Sequence, residues 1–176
     1  MRLAGRTYAV LVAEGVEDLE YWVPVMRLQE EGATVITVGS DTEPHRGKGG
    51  LAVRAEVTAA SLDPAGLDGL VVPGGWAPDK MRRDPAILAL VRAVHARGLP
   101  IGIICHGGSV AISAGIVGAR ATGSLGIKDD LVNAGAEWVD EPAFRDGNLV
   151  WGRVVADIPH FTRELVAALY EAANHQ

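Results

Sequence analysis

The chain has 176 residues, a hydrophobic fraction of 48% and a charged fraction of 22%. That is enough for one domain, 1–176, burying roughly two-thirds of its unfolded surface without staples. A formal charge of −6 with no Lys/Arg run leaves no electrostatic footprint for nucleic acid. One cysteine excludes an intrachain disulfide and any multi-cysteine zinc site, and places the expected compartment in a reducing cytosol.

Thr7 to Val12 is an apolar run without polar alternation, the pattern of a strand covered on both faces. Val16 to Glu31 carries Leu19, Trp22, Val23, Met26 and Leu28 near helical spacing and is closed by Gly32. Ala33 to Val38 is a second buried-type strand, so the first forty residues read strand, helix, strand with a right-handed crossover. Residues 39–66 read as irregular, with a turn at Gly47-Lys48-Gly49-Gly50 and a peripheral strand pair within Leu51 to Val57. That glycine-rich turn matches no phosphate-binding pattern.

Leu67 to Val72 is a third core strand, stopping at Pro73-Gly74-Gly75. Helical segments follow at Trp76 to Arg83 and Pro85 to Arg97. The stretch Pro100-Ile101-Gly102-Ile103-Ile104 then runs into Cys105-His106-Gly107-Gly108 and an Ala-rich helix ending near Gly115. Ile127 to Asn133 reads as helix, Ala136 to Val139 and Leu149 to Val154 as strands separated by the Asp146-Gly147 turn, and Arg163 to Ala173 as the terminal helix. Gly98 to Ala119 lacks formal charge over a bilayer-spanning length, but Pro100 and its glycines divide it into strand and helix, so no membrane span is expected. Alternating strands and helices specify a three-layer α/β sandwich with a mainly parallel central sheet. Ligands in such sheets sit beyond the carboxyl ends of the strands, where Gly15, Gly75 and Cys105 fall.

A cysteine in a strand-turn-helix elbow is lifted out of the sheet toward the first N–H groups of the helix. Cys105 is therefore the candidate nucleophile, with a thiol expected to be more acidic than the free value of about 8.5. His106 is the candidate proton carrier and needs a carboxylate to fix its tautomer. The N–H groups of Gly75 and His106 are candidate oxyanion donors.

Glu17 and Glu20 leave the first strand close enough to reach the thiol. An ionised carboxylate there would oppose thiolate, so a functional one must have a raised pKa. Glu20, set among Leu19 and Trp22, fits that role. Asp18 reads as a first-turn helix acid, and Glu17 stays open between the two roles. His45, His95 and His175 read as solvated, and Thr162 stands where a triad acid would follow His160. No acidic or histidine cluster has metal spacing, and no metal or cofactor is expected.

Several stretches together resemble the DJ-1/PfpI superfamily, within it the PfpI-like intracellular protease and general-stress-protein branch. They are Glu17-Asp18-Leu19-Glu20, Pro73-Gly74-Gly75-Trp76-Ala77-Pro78-Asp79-Lys80-Met81-Arg82, Ile104-Cys105-His106-Gly107, Ile127-Lys128-Asp129-Asp130-Leu131 and Glu137-Trp138-Val139-Asp140. The resemblance implies a flavodoxin-like fold with Cys105 as elbow nucleophile, Glu20 bonded to its sulfur and His106 as second catalytic residue. It also implies that Asp79 of a neighbouring subunit completes the triad in a homodimer or homohexamer. Gly74, Trp76, Gly107 and Ser124 are then expected to line the substrate pocket.

The implied substrates are small reactive carbonyls, in a glutathione-independent glyoxalase or deglycase, or short peptides, in an intracellular cysteine peptidase. Redox sensing through Cys105 and a specialised hydratase or lyase reaction are further implied options. Gly108, Ser124-Leu125 and Val155 depart from a Pro, a Tyr-Pro pair and a Pro common in that family.

Overall fold

The computed structural model describes residues 1–174. In chain order the elements are β1 (Thr7–Leu11), α1 (Asp18–Glu30), β2 (Thr34–Gly39), β3 (Pro44–Arg46), β4 (Ala52–Arg54), β5 (Val57–Thr58), β6 (Gly69–Val72), α2 (Ala77–Met81), α3 (Pro85–Ala96), β7 (Ile101–Ile104), α4 (Gly108–Ala114), β8 (Arg120–Ala121), α5 (Lys128–Asn133), β9 (Glu137–Trp138), β10 (Ala143–Asp146), β11 (Leu149–Gly152) and α6 (Ile158–Asn174).

The main sheet runs β10-β11-β7-β6-β1-β2-β5, parallel except for the antiparallel edge strand β10. Tyr8 pairs with Val35 on one side and Gly69 on the other. From β1 the chain steps one way to β2, and from β6 it steps the other way to β7. With right-handed crossovers, α1 and α3 therefore lie on opposite faces, giving the expected three layers. The reversal opens a crevice where β1 and β6 end, which is where such sheets hold ligands.

β-Branched residues of the three central strands supply the middle layer: Val10, Val71, Val72 and Ile103 are each at most 1% exposed. Helix α6 closes the far face, and it does so by using two strand glycines. A Cβ on Gly102 would lie 2.9 Å from atoms of both Leu165 and Phe161, and one on Gly69 would lie 2.7 Å from Leu169. Among the described residues no helix is long and apolar enough to cross a membrane.

Three expectations are corrected. The segment after β2 is not merely irregular: β3 and β4 form a hairpin, and β5 extends the main sheet beyond β2. The Asp146-Gly147 turn joins β10 to β11, whereas β9 pairs with β8 in a separate two-stranded sheet. Strand β10 escapes pattern reading because Ala143-Phe144-Arg145-Asp146 is short and half polar. Helix α6 begins at Ile158, five residues earlier than expected, because Pro159 fits the first turn, where its missing N–H is not needed.

Candidate active site

Strand β7 ends at Ile104, and Cys105 follows with φ 59, the one positive value at a non-glycine residue among those described. Left-handed backbone at such a residue costs on the order of 1–3 kcal/mol and persists only where the surroundings enforce it. Glycines supply that enforcement. A Cβ on Gly107 would sit 2.5 Å from the Val72 carbonyl oxygen, and one on Gly74 would sit 2.8 Å from Cys105 Cβ and 2.9 Å from the His106 nitrogen. The ends of β6 and β7 thus interlock through bare backbone. Gly108 has the same purpose one step on, lying against Ile127 and the Trp151 ring.

The elbow turns Cys105 and His106 toward each other. Sγ lies 3.4 Å from His106 Nδ1. The backbone N–H groups of His106 and Gly75 both point at the sulfur. Gly75 reaches it with φ 80, a conformation that glycine adopts without strain, and a side chain there would collide with the backbone of Gly15 and Glu17.

Glu20 lies beneath, fully buried on α1. Its Oε2 accepts the Gly74 N–H at 2.7 Å, while Oε1 has no hydrogen-bond partner. Burial pushes this carboxyl up to about 7, as required of a functional acid beside a thiol.

The thiol itself departs from expectation. Burial, followed by the Glu20 charge, pushes Cys105 up to about 12, against the smaller opposing pull of the His106 and Gly75 N–H groups. Nor does His106 supply a positive charge beside it, because burial and then Lys48 lower its pKa and favour neutral imidazole. The resting pair is a neutral thiol beside a neutral base, and proton transfer must accompany attack.

A cavity of about 430 Å3 opens over the sulfur. Cys105, His106, Glu20, Gly75, Trp76 and Ser124 line it, and so does Glu17, the residue left open by sequence. Gly74 and Gly107 do not line it: they pack behind the sulfur, where their lack of a Cβ is needed. Asp79 does not line it either. It projects from α2 with its side chain 77% exposed, paired to Arg83 at 3.1 Å. Among the described residues no carboxylate hydrogen-bonds the His106 ring.

Two site features escaped the sequence. Lys48 lines the cavity, with Nζ 3.7 Å from Glu17 Oε2 and 5.8 Å from the centre of the Trp76 ring. Asp18 opens the first turn of α1, as expected, but it is also buried and accepts N–H bonds from Gly49 and Leu51, holding the turn that carries Lys48. The signal was an acid beside Glu17 and a glycine-flanked lysine, but thirty residues separate them. Of the remaining histidines, His45 is paired with Asp41 at 2.9 Å and His95 is half-buried with Nδ1 unpartnered, so neither is simply solvated. His160 is exposed, and His175 lies outside the described residues.

The sequence profile of the DJ-1/PfpI family matches residues 6–168. Deglycase PH1704 of Pyrococcus horikoshii is 40% identical over 160 residues, which cover 90% of this chain and 96% of that protein. Putative cysteine protease YraA of Bacillus subtilis is 34% identical over 158 residues, covering 89% of this chain and 94% of the relative. Among solved structures, a two-domain protein of Anabaena variabilis containing DJ-1/ThiJ/PfpI-like and ferritin-like domains superposes with a TM-score of 0.90 at 34% identity. The match covers 93% of this chain and 48% of that one. A mainly parallel sheet with a cysteine elbow beside its switch point, matched over nearly its whole length by these relatives, places the chain in the DJ-1/PfpI family.

Proposed function

We propose that this chain is a cysteine-dependent enzyme that processes small reactive carbonyls, in the manner of a deglycase or a glutathione-independent glyoxalase. The observation that carries the proposal is the convergence of a thiol, a neutral imidazole at 3.4 Å and two N–H donors in one cavity of about 430 Å3. That volume suits a small molecule. Its relative PH1704 is named a deglycase.

On an α-oxoaldehyde the chemistry runs in three steps. Sγ bonds to the aldehyde carbon while the thiol proton passes to His106 Nδ1 and on to the former carbonyl oxygen, which the Gly75 and His106 N–H groups hold as its charge develops. Neutral His106 then removes the proton from that carbon and returns it to the adjacent one, while the hydroxyl proton passes from the first oxygen to the second, so the two carbons exchange oxidation level without an external oxidant. Water finally cleaves the resulting thioester, releasing a 2-hydroxy acid and regenerating the thiol. Purified protein given methylglyoxal should form lactate in many-fold excess over enzyme; disappearance of methylglyoxal without lactate would mean simple trapping and end the proposal.

A peptidase reading draws on the name of YraA and uses the same nucleophile. The cavity size favours the smaller substrate, and a peptide assayed in parallel decides between them. Redox sensing is disfavoured, because it is the thiolate that attacks peroxide oxygen and burial holds this thiol protonated.

His106 still lacks an orienting acid within its own chain. The proposal therefore includes a second copy whose exposed Asp79 supplies it. Asp79→Ala and His106→Ala proteins, each poorly active alone, should regain lactate formation when unfolded together and refolded as a mixture, since one site in each mixed pair is then complete. Continued inactivity of a mixture that sizes as an oligomer would argue for Asp79 acting elsewhere.

A further inference from the structure

The turn from Gly47 to Leu51 is held more firmly than a surface loop requires. The Lys48 N–H donates to the Val16 carbonyl at 2.8 Å, and the Gly47 N–H to the Leu51 carbonyl at 2.8 Å. Asp18, only 5% exposed, accepts N–H bonds from Gly49 and from Leu51, the latter at 2.8 Å. Both flanking glycines are needed for this. A Cβ on Gly47 would collide with the Asp18 carboxylate, and one on Gly49 would sit 2.9 Å from Asp18 Oδ2. Burying a carboxylate is costly unless its oxygens are hydrogen-bonded, and here backbone N–H groups of the turn provide the bonds. What this arrangement fixes in space is the start of the Lys48 side chain.

Lys48 is the sole Lys or Arg side chain among the described residues lining the cavity. Its ammonium has three donors. The Glu17 oxygen at 3.7 Å lies beyond the 2.7–3.2 Å range of an N–H···O bond, and the Trp76 ring at 5.8 Å gives only a cation–π contact. Glu17 and Trp76 therefore keep the ammonium at the cavity wall while leaving its donors for something else. The same wall contains Cys105 and His106, and the charge of Lys48 is felt at the imidazole.

We infer that Lys48 is a specificity-determining residue that binds a carboxylate carried near the electrophilic carbon, so that among small reactive carbonyls the site favours those bearing an acid group over neutral ones. This rests on the carbonyl-processing reading of Cys105 and names its substrate class. Lys48 takes no part in bond making. It positions the carboxylate in the cavity that Cys105 also lines.

The single cysteine permits a test that needs no turnover. Iodoacetate and iodoacetamide alkylate a thiol by the same displacement: the S–C bond forms, iodide leaves and the thiol proton goes to solvent. They differ only in that the first carries a carboxylate beside the reacting carbon. Rates of Cys105 alkylation by each, read as intact mass, give a ratio from which any general change in thiol acidity cancels.

Lys48→Met should lower the iodoacetate-to-iodoacetamide ratio about tenfold, equivalent to about 1.4 kcal/mol. Lys48→Arg should retain most of the wild-type ratio, and Glu17→Gln should raise it by removing the competing carboxylate. A ratio equal in wild type and Lys48→Met would overturn the inference even if methylglyoxal is turned over. A lowered ratio in a protein that forms no lactate would leave the carboxylate site standing and remove the enzymatic reading alone.

Discussion

Lactate formation from methylglyoxal is expected to vanish in Cys105→Ser and to fall by about 10²- to 10⁴-fold in kcat/KM in His106→Ala, the range that one positioned general acid–base group contributes. The serine hydroxyl is a far weaker nucleophile than sulfur at its free pKa, and the site offers only a neutral imidazole to activate it. The imidazole variant retains the thiol and both N–H donors but loses the one ring nitrogen placed 3.4 Å from sulfur.

A distinct pH signature accompanies that loss. Burial and Lys48 lower the His106 pKa from 6.5, so the ring stays unprotonated, and able to accept a proton, to lower pH than a free imidazole. The acid limb of wild-type kcat/KM should accordingly break below pH 6.5, and residual activity in His106→Ala should lack that limb. Steady-state assays from pH 5 to 8 measure both. An unchanged rate in His106→Ala would assign proton transfer to another group and refute the mechanism.

Much of this site was legible in one dimension because its parts lie at strand ends. A run such as Ile101-Gly102-Ile103-Ile104 followed by Cys105 states both the strand and the elbow, and Pro73-Gly74-Gly75 states a backbone that comes close to something. What local pattern could not supply was sign and depth. The thiol was expected to be acidic from the helix that follows it, yet α4 offers only partial charges, while Glu20 and burial act on the sulfur from below.

Gly74 and Gly107 were expected from the family resemblance to line the substrate pocket, where glycine would let a ligand approach. They face the carboxyl ends of β6 and β7 because glycines equally let backbone approach backbone. Lys48 was invisible for a third reason: its place depends on Asp18, whose bonds to residues 49 and 51 exist only once β1, α1 and the β3–β4 hairpin have assembled. Long-range polar contacts of this kind have no periodicity to read.

The pH dependence of stability follows from Glu20, and its expected size is large. The carboxyl titrates near 4.5 in an ordinary setting and at about 7 here, chiefly because burial disfavours its charge. Between those values the folded chain holds a proton that the unfolded chain has lost. The stabilisation is therefore complete below pH 4.5 and disappears as pH rises through 7, a loss of about 3 kcal/mol at 1.36 kcal/mol per unit.

Glu20→Gln removes this dependence, because a carboxamide does not titrate. Its oxygen can accept the Gly74 N–H as Oε2 does now, and any fixed penalty from placing an amide at the unpartnered Oε1 position is the same at every pH. Urea unfolding at pH 4.5 and pH 8 should show wild type losing about 3 kcal/mol relative to Glu20→Gln across that interval. The interval ends at pH 8 so that Cys105, raised above its ordinary 9.0, stays protonated in both proteins and adds nothing.

Identical pH dependence in the two proteins would mean that Glu20 is not the buried acid described. The same titration bears on activity: once Glu20 ionises above about 7, its charge opposes proton loss from the thiol, so wild-type kcat/KM should decline on the alkaline side. Glu20→Gln should hold its rate there, coupling one buried proton to both the fold and the nucleophile.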